Sequence, residues 1–337
     1  MANASNWDVT VVLDKKPFGQ SRELMEASTN AKFVWPATVR SYAEHTKATQ
    51  FKGEQINQAK VANFKDALGM ALAQREPDHI LINTPDAFQS VEELGLQDRF
   101  RTTFYTLHEN LVVPPGEASD VFAQEYNEFL YRIPSVPNVR IATQSNFNVQ
   151  RMNALKFWTS PIILQMPIPD AELLLPYTGP RSGVLFIGRH EPRKDPKLFV
   201  KTIAATGLPA KVLTNKRGIK KFQTLFAKHG VTDFEIKGQI TGKEKTDFIK
   251  SAKVAFHPAT SESYGFSAME TLAAGVPTLL IEEREWWRSF AKDGVHLTSA
   301  GDVPSELSKL YATAKPQNAQ IWAAREQGTQ IAWQAYI

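Results

Sequence analysis

The sequence predicts an α/β protein built from two Rossmann-like domains that face each other across a cleft. Three observations carry that expectation. Short β-branched runs alternate with longer amphipathic segments, the alternation comes in two series, and a proline-rich stretch separates them. A chain of 337 residues with 42% apolar content can bury two cores of ordinary domain size.

In the first series, WDVTVVLD (7–14), HILINT (79–84), TTFYTL (102–107) and VRIATQS (139–145) read as strands, each bounded by turn formers. The segments around 53–74 and 118–130 have helical spacing. Pro161, Pro167, Pro169, Pro176 and Pro180 then disfavour any long regular element, since proline removes a donor and restricts its predecessor. The second series follows: GVLFIGR (183–189), AKVLTN (210–215), DFEIKG (233–238), KVAFHP (253–258) and PTLLIE (277–282), with PKLFVKTIAATG and TGKEKTDFIKSA as intervening helices. The expected division is 1–165, a linker at 166–181, a second domain at 182–310, and a helical tail at 311–337 that packs back towards the first domain. Trp322 and Trp333 are its anchors.

Composition narrows the chemistry. The chain has no cysteine, which excludes thiolate metal sites, cysteine nucleophiles and disulfides. Its seven histidines lack the spacing of a metal motif such as HExxH. The N-terminus reads as free of a signal peptide and no apolar run is long enough to span a membrane, so a cytoplasmic location is expected. The net charge of +4 is uneven. Residues 1–160 hold 16 Lys and Arg against 18 Asp and Glu, so the excess lies downstream, densest in KVLTNKRGIKK (211–221). That run suits either a phosphate-rich partner or plain solvated surface. Neither GxGxxG nor a P-loop is present, nor a GxSxG elbow, nor a DNA-reading motif of known type.

Ligands of open parallel sheets bind beyond the carboxyl ends of the strands, and four segments fall at such ends. In SESYGFSAMETLAAGVP (261–277) a helix is expected over about 267–274. Ser267 and Glu270 have capping-box spacing, which would make Glu270 a backbone cap. Alternatively Glu270 accepts hydrogen bonds from a pair of hydroxyls, such as those of a ribose, while amides near Gly265 favour phosphate oxygens. Glu262 has no capping role and is either an exposed loop acid or a site residue. In FIGRHEPRKDP (186–196), Gly188 permits a turn straight after the strand. Arg189 and Lys194 there could clasp a diphosphate or join Glu191 and Asp195 in a surface ion-pair cluster. TLHEN (106–110) presents His108, either structural or able to hydrogen-bond a substrate hydroxyl or donate a proton. Gly19, in DKKPFGQSRE, could bring backbone near a ligand or sit in an ordinary loop.

Glu262-x7-Glu270 with Gly265 and Ala274-Gly275-Val276-Pro277 resembles the signature of retaining GT-B glycosyltransferases of the family-four type. GRHEPRK, TLHEN, ATQSNF (142–147) and the run KGQITGKEKTDFIKSAKVAFHP follow the same order of elements. More faintly, GRHEPRK, TLHEN and INTPDAFQSVEE are similar to bacteriophage enzymes that glycosylate hydroxymethylated DNA bases.

The resemblance implies the GT-B fold and a nucleotide-sugar donor, expected to be a UDP-sugar, with no tightly bound cofactor and no essential metal. It implies that Glu270 holds the ribose hydroxyls and that Glu262, with Ser263, Tyr264 and Gly265, meets the transferred sugar. Arg189, Lys194 and Gly188 would serve the diphosphate, Gly238 the donor side, His108 the sugar from the first domain, and Gly19 the phosphates or acceptor. The acceptor implied is a hydroxymethylated DNA base, which Trp286 or Trp287 could stack upon. The alternatives are a small saccharide or cell-surface glycan, or a binding protein without catalysis. Tyr264 replaces the family's usual phenylalanine, and a single glycine, Gly19, stands for its tandem-glycine loop.

Overall fold

The computed structural model describes residues 9–13, 31–36, 58–105, 131–154, 161–168, 170–262, 264–284, 286–289, 295–315 and 319–336. Two compact units divide the chain: Met1–Gln165 with Gln330–Ile337, and Met166–Thr329.

In the first unit, β1 (Val9–Val12) and β2 (Ala31–Val34) form a parallel pair. A second parallel sheet holds β3 (His79–Ile82), β4 (Arg101–Tyr105), β5 (Val139–Thr143) and β6 (Ile162–Ile163), in that order. The helices are α1 (Gln58–Leu72), α2 (Pro85–Glu93) and α3 (Asn146–Ala154). Phe88, Val91, Phe104, Ile133 and Met152 fill the core, with Phe88 edge-on to Phe104 at 5.8 Å. INTPDAFQSVEE is the end of β3 followed by a well-started helix. Thr84 caps the amide of Ala87, Pro85 occupies the first turn, and the Ser90 hydroxyl donates to the Val61 carbonyl of α1. The expected helix at 118–130 lies outside the described residues.

The second unit is a six-stranded, wholly parallel sheet. Its strands are β7 (Ser182–Ile187), β8 (Ala210–Thr214), β9 (Phe234–Gly238), β10 (Ala252–His257), β11 (Thr278–Ile281) and β12 (Val295–Thr298). Their spatial order is β9-β8-β7-β10-β11-β12, the doubly wound arrangement that runs outward from β7 in one direction and then from β10 in the other. The helices are α4 (Pro196–Thr206), α5 (Lys216–Lys228), α6 (Gly242–Lys250), α7 (Phe266–Ala273) and α8 (Val303–Thr313).

Alternation along the strands explains why both faces of this sheet are covered. Val184 and Phe186 of β7, Val212 of β8 and Phe256 of β10 join one core with Phe199, Phe222 and Leu307. Leu185, Ile187, Leu213 and Ala255 join the other, with Ile249, Met269 and Leu272. The last helix, α9 (Ala319–Tyr336), begins in the second unit and ends in the first. Trp322 lies in the second unit's core, while the Trp333 indole donates to the Gln165 carbonyl at 2.7 Å within the first.

Candidate functional site

The doubly wound order creates one switch point, between the carboxyl ends of β7 and β10, where successive connections depart in opposite directions. The loops leaving those two strands carry GRHEPRK and ATSESYG, and the fold stitches them together. The Thr260 amide donates to the Arg193 carbonyl at 2.7 Å, and the Arg284 guanidinium donates to the carbonyl of Pro258 and to Asp195 Oδ2. Asp195 takes a left-handed backbone, φ 47°, which Asp tolerates better than most residues, and caps the Leu198 amide at the start of α4. Asp195 therefore fastens the loop to α4 and to Arg284, and is not a member of a surface cluster with Glu191.

Glu262 is the centre of this junction. Lys194 Nζ donates to its Oε1 and Arg193 Nη1 to its Oε2 at 3.2 Å. The side chains of Glu262 and Lys194 are only 10% and 11% exposed, so each is held largely away from water and needs the other. Arg189 is 59% exposed and stands one ion pair away. It meets Glu191 Oε1 at 3.0 Å, and Glu191 meets Arg193 Nε at 3.4 Å. Gly188 makes room for this arrangement: a Cβ there would lie 3.3 Å from Lys194 Cδ. His257, the last residue of β10, is fully buried, and burial with the nearby Lys194 charge pushes its pKa down to about 3.

Glu270 lies on α7, near enough for the Lys194 charge to act on it, and its environment corrects the capping-box reading. Gly265, not Ser267, is the N-cap of α7. Its φ of 81° needs glycine, and no side chain closes the helix start. The Glu270 carboxyl instead accepts from Lys245 Nζ of α6 at 2.5 Å. Its side chain is 7% exposed. Burial raises its pKa and Lys245 opposes that rise.

Tyr264 turns inward: its ring packs in the core at 5.3 Å from Phe266, and Arg325 donates to its hydroxyl at 3.1 Å. The Tyr264 side chain thus supports the loop, leaving its backbone for any ligand. Gly238 ends β9 beneath Ile219 of α5, where a Cβ would come within 2.6 Å of Ile219 Cδ1. Gly19, His108 and Ser263 lie outside the described residues.

Two expectations about the acceptor change. The indoles of Trp286 and Trp287 are 6% and 5% exposed and donate to the carbonyls of Ala259 and Glu282, so neither ring is presented to stack on a base. The basic run 216–221 opens α5, whose opposite face buries Phe222 and Phe226, as in any amphipathic surface helix. Among the described residues, no cluster of three or more His, Asp or Glu is placed to hold a metal ion, and no helix is long and apolar enough to cross a membrane.

Arg193, Lys245 and Arg284 were not singled out from sequence. Arg193 and Lys245 lie inside the quoted runs GRHEPRK and KGQITGKEKTDFIKSA, which do not say what either residue pairs with.

The family described as glycosyl transferases group 1 matches residues 179–310, the stretch that holds the junction just described. No curated protein matches the chain in sequence. Among solved structures, the sucrose-phosphate synthase of Thermosynechococcus elongatus superposes with a TM-score of 0.68 at 14% identity, covering 99% of this chain and 88% of that one. HepE of Anabaena, in complex with UDP and glucose, gives 0.68 at 13% identity over 97% and 90%. WaaG, a glycosyltransferase involved in lipopolysaccharide biosynthesis, gives 0.60 at 13% identity over 97% and 88%. The chain has the two-domain α/β GT-B fold.

These matches correct the narrower resemblance drawn from the motifs. The matching family is group 1 rather than family four, and nothing in it or in the similar structures supports an enzyme of phage DNA bases. The physical reason is that the motifs with a described place at the site, GRHEPRK and SESYG, build the switch point of the second unit, and a fold-level site does not fix the acceptor, whereas the acceptor features invoked for DNA are a buried tryptophan pair and a solvated helix face.

Proposed function

We propose that the chain is a retaining glycosyltransferase that takes a sugar from a nucleoside-diphosphate donor and gives it to a saccharide hydroxyl. The observation that carries this reading is the convergence of Lys194, Arg193 and Glu262 at the β7/β10 switch point, with a buried Glu270 on the adjacent helix. The match to glycosyl transferases group 1 over the same residues supports it.

In this reading the diphosphate enters beside Lys194 and Arg193, with Arg189 at the rim, and the first turn of α7 adds its amides. Charge grows on the phosphate as the C1–O bond breaks, so these cations stabilise the transition state more than the bound donor. Glu262 orients the two cations and faces the transferred sugar. Glu270 accepts the ribose hydroxyls. The acceptor oxygen bonds to C1 on the face the phosphate leaves, and the acceptor proton passes to the departing phosphate. His108 and Gly19 are assigned to the sugar and the phosphate or acceptor side by their motifs. UDP-sugars are the first donors to try, since HepE was solved with UDP and glucose.

The test is nucleoside diphosphate release from a panel of UDP-, ADP- and GDP-sugars offered with mono- and disaccharide acceptors, alongside Lys194→Ala. Acceptor-stimulated release that the variant loses supports the proposal. Binding of a donor by calorimetry without turnover on any acceptor would favour a nucleotide-sugar-binding protein. Neither binding nor release would overturn both readings.

A further inference from the structure

We infer that Lys245 is a positioning residue for the nucleotide: it holds Glu270 as a carboxylate ready to accept two ribose hydroxyls, and shares that carboxylate when the nucleotide arrives. The inference rests on the donor-site reading of Glu270 above.

The geometry separates Lys245 from an ordinary surface lysine. It leaves the first turns of α6, directly after the loop 239–241 that follows β9, and crosses to α7 to reach Glu270 Oε1 at 2.5 Å. Its own side chain is 26% exposed, whereas the acid it meets is 7% exposed. The pair is thus a lid of charge over a buried acid. Among the described residues, Lys245 is the hydrogen-bond partner of that carboxyl.

Besides Lys245, charges from two further places act on Glu270. Asp170, in the segment before β7, repels it and favours its neutral form; Lys194, from the β7–α4 loop, and Lys245 favour the ion. Burial outweighs them and raises its pKa. A carboxylate has two oxygens and about four acceptor sites, enough for an ammonium and two hydroxyls together. A protonated acid has a donor in place of one of them and clashes with a hydroxyl proton. Removing the Lys245 charge would therefore turn a good diol acceptor into a poor one, and would do so most at low pH.

The experiment is titration calorimetry of the full chain with UDP, GDP and ADP between pH 5.5 and 8.5. It compares wild type, Lys245→Met, Lys245→Arg, Glu270→Gln and the Lys245→Met/Glu270→Gln double variant, each checked for an unchanged melting profile. Lys245→Met should bind the preferred nucleotide about tenfold more weakly at pH 6 and regain affinity as pH rises, the loss of one charge-assisted contact. Lys245→Arg should restore the wild-type profile. In the Glu270→Gln background, Lys245→Met should cost nothing further. An equal loss at every pH, or a loss that adds to that of Glu270→Gln, would show that Lys245 touches the nucleotide itself and overturn the inference. Unchanged binding in Lys245→Met would overturn it too. If wild type binds none of the three nucleotides, the donor-site reading falls and the inference falls with it.

Discussion

Arg325 of α9 donates to the hydroxyl of Tyr264, three residues before the Ser267 amide in the loop that feeds α7, at 3.1 Å. The same guanidinium lies over the Trp322 ring at 4.6 Å, and the next residue, Glu326, accepts from the Ile168 amide at 2.7 Å. The first turns of α9 thus support the site loop from behind, and the hydroxyl that distinguishes Tyr264 from phenylalanine has a use. Tyr264→Phe should keep the ring packing and lose this bond. The expected cost is about 1 kcal/mol, read as a lower urea midpoint for the unit that contains it. Arg325→Met should lower the midpoint similarly and, combined with Tyr264→Phe, should add little.

Gly188 makes a second, sharper prediction. Its Cβ would meet Lys194 at 3.3 Å for Cδ and 3.4 Å for Cγ and the Phe186 ring edge at 3.4 Å; the ring contact is close to ordinary and the nearest atoms belong to a flexible stem, so Gly188→Ala can be accommodated by moving Lys194. The fold should survive with little change in melting temperature. Nucleoside diphosphate binding should weaken about tenfold, close to 1.4 kcal/mol, because the displaced ammonium no longer points where Glu262 and the phosphate require it. Calorimetry on the variant decides this; undiminished affinity would mean that Lys194 is not a phosphate ligand.

The second unit was legible because its strands are continuous apolar runs between turn formers, the pattern of a sheet covered on both faces. GVLFI, AKVLT and AKVAFH needed no tertiary information. β2, β6 and β12 escaped notice: they are two to four residues long, and the first two sit beside prolines. At the site, glycine and acid positions could be read, but pairings could not. Arg193 meets Glu262 across 69 residues and Lys245 meets Glu270 across 25, distances over which no local spacing rule operates. The capping box failed for a specific reason. Ser267 and Glu270 have the right spacing, but Gly265 can adopt the left-handed conformation and starts the helix earlier, which leaves Glu270 beyond the first turn.

The Lys194–Glu262 pair predicts an asymmetry between single and double substitution. Lys194→Met leaves a largely buried carboxylate with Arg193 as its remaining partner, and should cost about 2 kcal/mol of stability. Replacing both residues by methionine removes the stranded charge and should recover part of that loss, while abolishing nucleotide binding. Urea denaturation of the two single variants and the double variant forms the cycle. A double variant as unstable as the sum of the singles would show that the two side chains do not act as a pair.

His257 gives the pH prediction. It is fully buried at the end of β10, with Nε2 3.3 Å from the Thr271 hydroxyl, and its pKa falls from 6.5 to about 3, chiefly through burial and then through the Lys194 charge. The folded state therefore holds it neutral, while the unfolded chain takes up a proton as pH drops below 6.5. The sign follows from linkage: between those two values the unfolded state binds more protons, so stability rises with pH and is lost on acidification. One such group contributes a slope of about 1.4 kcal/mol per pH unit. His257→Gln, which keeps an amide able to meet Thr271 but cannot titrate, should flatten the dependence of the urea midpoint between pH 6.5 and 4 by that amount. The carboxylates titrate in both proteins, so the difference between the two slopes isolates the histidine. Equal slopes would mean that His257 is already solvated enough to protonate within the folded chain.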